Sequence, residues 1–188
     1  MSGAEMALIA IGVVAIVGLV LVNLAQRVDR LHRRVISSRA VLEAQLVRRA
    51  ETAGNLARTG RLDAASTLIV AEAAWNAAVQ APRLVGGASD LADTGMERGL
   101  VESELTIDLR AALGDAEDLT ALRADPVAAA PLADLEQAAY RAQLARRFHN
   151  DAVVATQRLR QNPLVRVFHL AGRAAMPVTF EMDDDVFR

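Results

Sequence analysis

The chain of 188 residues is long enough for one domain with an appendage, and its formal net charge at pH 7 is only −2. It has no Cys, which excludes disulfides and thiolate metal sites, and all 21 basic residues are Arg. Aromatic residues make up 3% of the chain, so it lacks the exposed rings among positive charges that are typical of nucleic-acid binding. We therefore expect no nucleic-acid partner.

An uncharged N-terminal segment predicts a membrane anchor. From Met6 to Val22 the chain reads MALIAIGVVAIVGLVLV, and Leu24 and Ala25 extend it. Roughly 20 helical residues cross the hydrocarbon core of about 30 Å. The region before the run carries no Arg, and no small-x-small site follows it, which argues against a cleaved signal peptide. We predict a transmembrane helix at residues 6–25, in contact with the lipid bilayer, after a short extracytoplasmic N-terminus at 1–5.

Charges beside this segment predict its orientation. Four basic residues follow the span closely and none precedes it: Arg27, Arg30, Arg33 and Arg34. Positive charges favour the cytoplasmic side of a membrane. We therefore expect a single-pass membrane protein, with its N-terminus outside and its bulk in the cytoplasm.

The remainder of the chain predicts an all-α fold. Apolar residues at three-, four- and seven-residue intervals indicate one helix from about residue 5 to 58: Val28, Leu31, Val35, Leu42, Leu46, Ala53 and Leu56. Thr59-Gly60 ends it. No alternating run indicates a strand. The transmembrane helix should therefore continue into an antiparallel helical bundle at residues 26–172, followed by an acidic C-terminal tail at 173–188.

Cap and breaker residues give the other helix boundaries. Asp63 is the expected N-cap of a helix at about 64–80, with an apolar face at Leu62, Ile69, Ala73 and Ala77. A loop is expected at 81–95, helices at about 90–113 and 115–124, and a long helix from about Leu132 to Asn162. The stripe predicted for that last helix is Leu135, Ala138, Ala142, Ala145, Phe148, Ala152, Ala155 and Leu159. A short amphipathic helix should end at Gly172.

A polar segment, RRFHNDAV, lies on the last long helix, from Arg146 to Val153. An acid–base role for His149 would need a carboxylate beside it, but Asp151 lies two positions on and faces elsewhere on a helix. No His has a Glu three residues before it, as a metal site in a helical bundle would require. We therefore expect no catalytic residue, cofactor or metal. A membrane-bound hydrolase or metal-dependent enzyme that uses the Arg146–Asp151 cluster remains the alternative.

The structural interpretation of this segment assigns it to helix packing. Phe148 belongs to the predicted apolar stripe, and the segment is expected to pack against RRAET at 48–52 on the first helix. The candidate structural or interaction residues are Arg48, Arg49, Arg146, Arg147, Phe148, His149, Asn150 and Asp151.

Two stretches resemble motifs of the LemA family. The first is VDRLHRRVISSRAVLEAQLVRRAETAGNLA, which matches at Val35, Gln45, Leu46, Arg48 and Arg49. The second is QLARRFHNDAVVATQRLR, which matches at Ala145, Arg146, Arg147, Asn150, Ala152 and Val153. The anchor and both motifs occur in the order typical of the family, and the Arg-only, Ala- and Val-rich composition resembles a branch from GC-rich, actinobacterial genomes.

The resemblance implies an antiparallel helical bundle on the membrane without known enzyme activity. It further implies a non-catalytic interaction or scaffold module in membrane-protein quality control or envelope signalling. A membrane peptidase system is the implied class of protein partner. The sequence leaves the individual partner and homo-oligomerisation open.

Overall fold

The computed structural model describes residues 2–79, 90–172 and 174–187, and in residues 90–94 it describes the backbone helix alone. Within these ranges the regular secondary structure is helical, and there is no strand. Six helices follow in order: α1 (Gly3–Ala57), α2 (Ala64–Val79), α3 (Asp90–Leu113), α4 (Ala116–Ala124), α5 (Ala129–Arg160) and α6 (Pro163–Val167). The expected all-helical fold is confirmed, whereas most of the loop expected at 81–95 lies outside the described residues.

Helix α1 is a single element of 55 residues, about 80 Å long at 1.5 Å per residue. Ser2 caps its N-terminus, since the Ser2 hydroxyl accepts from the Glu5 amide while Glu5 accepts from the Ser2 amide. Its most apolar 18-residue window has a mean hydropathy of 2.8, and none of that window is buried. By length and composition, α1 is therefore able to cross a membrane.

The predicted helix ends lie close to the observed ones. Asp63 Oδ1 accepts from the amides of Ala65 and Ser66, which confirms it as the cap of α2. Gly60 and Gly114 have φ of 65° and 68°, the left-handed conformation that ends a helix and favours glycine. Helix α5 begins at Ala129, three residues before the expected start, and accommodates Pro131 in its first turn, where proline is tolerated. The short helix expected to reach Gly172 is shorter, ending at Val167.

Two apolar clusters form the core. Contacts join α1 to α2 and α5, α2 to α3, and α4 to α5. The larger cluster lies near the end of α1 and draws on all of these helices, with buried members Leu56, Val70, Leu105, Leu109, Leu132 and Leu135 among many alanines. The smaller one consists of Leu42, Leu46, Ala142, Ala145 and Phe180. Alanine at many contact positions allows the helix axes to approach closely.

Three predicted core positions are wrong, because Ile69, Phe148 and Ala155 are exposed. Ile69 is 50% exposed, and its neighbour Val70 is buried instead. Phe148 is 55% exposed, and its neighbour His149 is 3% exposed. The reason in α5 is register: the buried positions run 135, 138, 142, 145, 149, 152 and 156, alternating steps of three and four, and Phe148 and Ala155 fall outside this series.

The predicted acidic tail packs against the helices. We call residues 174–187 the C-terminal segment. It has no regular secondary structure, but Phe180 is 1% exposed and Val186 is 5% exposed. The Asn150 side chain binds both backbone polar groups of Phe180. Asn150 Nδ2 donates to the Phe180 carbonyl oxygen (3.1 Å), and Asn150 Oδ1 accepts from the Phe180 backbone N–H (2.8 Å).

Gly99 of α3 permits this docking. A Cβ built at Gly99 would overlap the carbonyl oxygen of Glu181, so the segment could not lie where it does over any larger residue. At Gly95, one turn earlier, the closest atom to such a Cβ is Arg39 Nη1 at 3.9 Å, an ordinary contact distance.

We predict opposite effects for alanine at these two glycines. Gly99→Ala should lower the free energy of unfolding by about 1–3 kcal/mol, because the added methyl group overpacks the contact with the C-terminal segment. Gly95→Ala is the matched control, and it should be neutral or stabilising by up to about 1 kcal/mol, because alanine favours helix. Denaturant unfolding of the full chain in detergent micelles, followed by circular dichroism, measures both. Equal effects of the two substitutions would contradict the docking at Gly99.

Candidate functional site

Five charged side chains lie buried between α1 and α3. We call them the charged core cluster: Arg39, Glu43 and Arg49 of α1, with Arg98 and Glu102 of α3. None of them is more than 5% exposed. Charged residues are almost never buried to this extent unless they are paired. The pairing within the cluster therefore determines the free-energy cost of burying these charges and the chemistry that is open to them.

The cluster is a chain of alternating charges. Glu43 lies between two guanidinium groups, with Oε1 2.5 Å from Arg39 Nη2 and Oε2 3.5 Å from Arg98 Nε. Glu102 likewise lies between two, with Oε1 2.6 Å from Arg98 Nη2 and Oε2 2.7 Å from Arg49 Nη2. Each carboxylate thus contacts one arginine of its own helix and one arginine of the facing helix.

Further hydrogen bonds connect the cluster to the rest of the fold. Arg49 donates to the Glu102 carbonyl (2.7 Å) and to the Thr106 hydroxyl (3.0 Å). The Thr106 hydroxyl in turn donates to the Asp183 carbonyl oxygen (2.7 Å). Arg98 donates to the Ala77 carbonyl near the end of α2. The cluster therefore ties α1 to α2, to α3 and to the C-terminal segment.

Positive charge exceeds negative charge in the cluster. Among the described side chains it contains three arginines and two glutamates. Burial raises the pKa of Glu102, against the opposing effect of Arg49 and Arg98. Burial also lowers the pKa of Arg39, against the opposing effect of Glu43. Arg39 contacts one carboxylate, whereas Arg98 contacts two.

Arg39 lies beside a cavity of about 640 Å³. The cavity is bounded by α1, by the first turns of α3, by His149 of α5 and by the C-terminal segment. Most of its lining is apolar, including Val35, Ile36, Met96, Leu100, Met176 and Val178. Volumes of 300–1,000 Å³ with apolar walls and a few polar groups are typical of small-molecule sites.

His149 is another polar group that lines this cavity. Burial lowers its pKa to about 4, Arg39 acts in the same direction, and a hydrogen bond with the Val35 backbone opposes them. The ring is therefore neutral at pH 7. Its Nδ1 lies 3.1 Å from the Ser38 hydroxyl of α1. His149 thus joins α5 to α1 without adding charge to the arginine-rich region.

The predicted cluster RRFHNDAV does not form one site. Arg146 pairs with Asp184 of the C-terminal segment, with Nη2 2.7 Å from Oδ2. His149 faces inward, whereas Arg147, Phe148 and Asp151 are exposed. His149 and Asp151 thus point to different surroundings, and an acid–base pair of these two residues is not formed.

The expected contact between this cluster and RRAET is wrong as well. Arg49 pairs with Glu102 of α3, and Arg48 makes an exposed pair with Glu51 on its own helix (3.5 Å). The segment around His149 instead lies level with Ser38, about three turns earlier in α1. Of the eight candidate residues, Arg49 and His149 are buried and Arg146 and Asn150 hold the C-terminal segment.

Sequence reasoning missed most of the charged core cluster, although the sequence carries a signal for it. The apolar stripe of α1 has seven-residue gaps between Val35 and Leu42 and between Leu46 and Ala53. Arg39 and Arg49 occupy the stripe positions inside these two gaps. A charged residue in register with a buried stripe is a candidate for a buried ion pair, and this pattern is the one that could have identified them.

We predict that His149 makes stability depend on pH. The folded protein keeps the ring neutral down to about pH 4, whereas an unfolded chain takes up the proton near pH 6.5. The unfolded state therefore binds more protons between these values, so the free energy of unfolding should fall as pH is lowered from about 6.5 to about 4. One proton contributes at most about 1.4 kcal/mol per pH unit.

Unfolding of the wild type and of His149→Gln, measured between about pH 7 and pH 4.5, tests this dependence. The variant keeps a polar side chain at the position but cannot titrate, so its stability should fall less steeply with decreasing pH. Parallel pH profiles for the two proteins would show that His149 is not held neutral by the fold.

Comparison with known proteins yields no match: no family model, no curated protein and no solved structure is similar to this chain. The LemA resemblance therefore stays a prediction from the two motifs. Function has to be argued from the geometry of this molecule.

Proposed function

We propose that the protein is a single-pass, membrane-anchored helical module that acts by binding other proteins and carries out no catalysis. The observation that carries this proposal is the division of α1 into two parts. Its first part is apolar and exposed over many large side chains, from Met6 (60%) to Val22 (54%). Its second part supplies the core, with Leu42, Leu46 and Leu56 fully buried. A single rigid helix would thus display the folded part directly at the bilayer surface.

The proposal includes an antiparallel bundle on the cytoplasmic side of a bacterial plasma membrane. Support for the antiparallel arrangement comes from the order of contacts, since Ser38 lies beside His149 and Leu46 clusters with Ala142 and Ala145. Positions that advance along α1 therefore meet positions that recede along α5. Support for the orientation comes from the arginines that follow the apolar segment.

An exposed apolar stripe on α5 supports protein binding. Tyr140 (64%), Leu144 (38%) and Phe148 (55%) are exposed at intervals of four residues, which places them on one face of the helix. Contiguous exposed apolar surface marks interaction sites in soluble domains. We propose this stripe as the contact surface for a membrane protein, with a membrane peptidase system as the class that the LemA resemblance suggests.

We predict that labelling of single cysteines reports the proposed orientation. The chain has no native Cys, so Ser2→Cys and Ala116→Cys each introduce the single thiol of the protein. Ser2 precedes the apolar segment, and Ala116 is exposed on α4. In intact cells a membrane-impermeant maleimide should label Ser2→Cys, and it should label Ala116→Cys only after lysis. Labelling of Ala116→Cys in intact cells would contradict the orientation.

We also predict that Phe148→Arg removes partner binding and leaves the fold intact. Because Phe148 is exposed, the free energy of unfolding should change by less than about 0.5 kcal/mol. Cross-linking in native membranes should yield defined adducts for the wild type, and these should be absent for Phe148→Arg. Ala111→Arg, at an exposed position of α3, is the matched control and should keep the adducts. Identical adducts in all three proteins would contradict a binding role for the stripe.

A further inference from the structure

The cavity beside Arg39 combines an apolar wall with one buried cationic end. Its volume is about 640 Å³, and its apolar lining comes from three separate parts of the chain: α1, α3 and the C-terminal segment. Two of the lining residues are methionines that are largely exposed, Met96 (76%) and Met176 (46%). Flexible methionine side chains adapt to irregular apolar ligands.

Arg39 is directed into this cavity. Its Nη1 atom lies 3.9 Å from the position that a Cβ on Gly95 would occupy, and Gly95 itself lines the cavity. Arg39 is 5% exposed, and its guanidinium carbon stands 4.4 Å from the centre of the Phe180 ring, which holds the group in place. Its Nε and Nη2 atoms are buried without a hydrogen bond of good geometry, although Nη2 is close to Glu43. Arg39 is thus a fixed, incompletely satisfied cation.

The electrostatics around Arg39 favour an anion. The charged core cluster behind it contains one more arginine than glutamates among the described side chains. His149, which also lines the cavity, is neutral at pH 7. Among the described residues that line the cavity, only Glu181 carries a carboxylate, and it is exposed. A single negative charge next to Arg39 would balance the cluster.

We propose that this cavity binds a single-chain carboxylate amphiphile, a long-chain fatty acid, with its carboxylate on the Arg39 guanidinium and its acyl chain along the apolar wall. A carboxylate accepts charge-assisted hydrogen bonds from a guanidinium, which are stronger than neutral ones. The chain would lie against Ile36, Met96 and Met176. The proposal assigns a ligand to the protein in addition to the partner binding proposed above.

The proposed anchor gives such a ligand a source. His32 at the cavity lies seven residues beyond Ala25, which is about 10 Å along α1. The cavity would therefore open close to the lipid headgroups, into which fatty acids partition. This step rests on the proposed membrane anchoring, whereas the cavity and its cation do not.

Photolabelling of the full chain tests the proposal. The purified protein in phosphatidylcholine nanodiscs is irradiated with palmitate that carries a diazirine in its acyl chain, and labelled peptides are identified by mass spectrometry. We expect labels at residues 95–103 and 174–182, which form the cavity wall. Unlabelled palmitate should compete for them, whereas hexadecanol, which has the same chain without the charge, should not. Labels at residues 6–25 report bilayer contact separately, so failure of the anchor and failure of the cavity are distinguishable.

Two variants and one control make the test specific. Gly95→Leu places a side chain in the cavity with no backbone clash and should lower cavity labelling about tenfold or more. Ala111→Leu adds the same side chain on an exposed part of α3 and should label as the wild type does. Arg39→Gln should lower labelling about tenfold or more, because it removes a charge-assisted contact.

Some results would overturn the proposal. One is equal labelling of the cavity wall in Gly95→Leu and wild type. Another is competition by hexadecanol as effective as that by palmitate, which would show that the cation plays no part. A third is the absence of palmitate-sensitive labels at both wall segments. Because Gly95→Leu replaces no residue of the charged core cluster, the conclusion does not depend on the folding of Arg39→Gln.

Discussion

The buried ion pairs between α1 and α3 are the constraint on which the other features of this structure depend. Removing charged groups from water costs several kcal/mol per ion even after relaxation, and attraction between them offsets this cost only when their geometry is good. In the charged core cluster each glutamate lies between two arginines, with its closest contacts at 2.5–2.7 Å. This arrangement requires α1 and α3 to keep one register, because a shift of either helix would leave a buried charge unpaired.

The position of the C-terminal segment follows from that register. Thr106, which receives a hydrogen bond from Arg49, also contacts the Asp183 backbone, and Arg39 stacks on the Phe180 ring. Gly99 gives the segment room to cross α3, and Asn150 and Arg146 hold it from α5. The segment covers one side of the cluster, and its residues 174–179 line the cavity beside Arg39. A single network thus determines both the docking of the segment and the cation at the cavity.

The sequence predicted local structure well and long-range pairing badly, for physical reasons. Caps such as Asp63 and left-handed glycines such as Gly60 act within one turn, so they can be read from neighbouring residues. Burial of Arg49 depends on Glu102, 53 positions away, and no local pattern announces such a partner. Without it, a charged residue on a helix is correctly expected to be at the surface. The prediction that Phe148 is buried is wrong because it rests on the apolar character of the side chain. The spacing of the buried alanines in α5 places His149, and not Phe148, in the core.

The most direct test of this account is a double-mutant cycle on Arg49 and Glu102 in the full chain. Arg49→Met and Glu102→Leu each leave a buried partner uncompensated, so each should lower the free energy of unfolding by about 3–5 kcal/mol. The double variant leaves neither partner behind, and it should cost less than the sum of the two by at least about 1.5 kcal/mol. Effects that add within about 0.5 kcal/mol would contradict the account, because they would show that the two side chains are not energetically coupled.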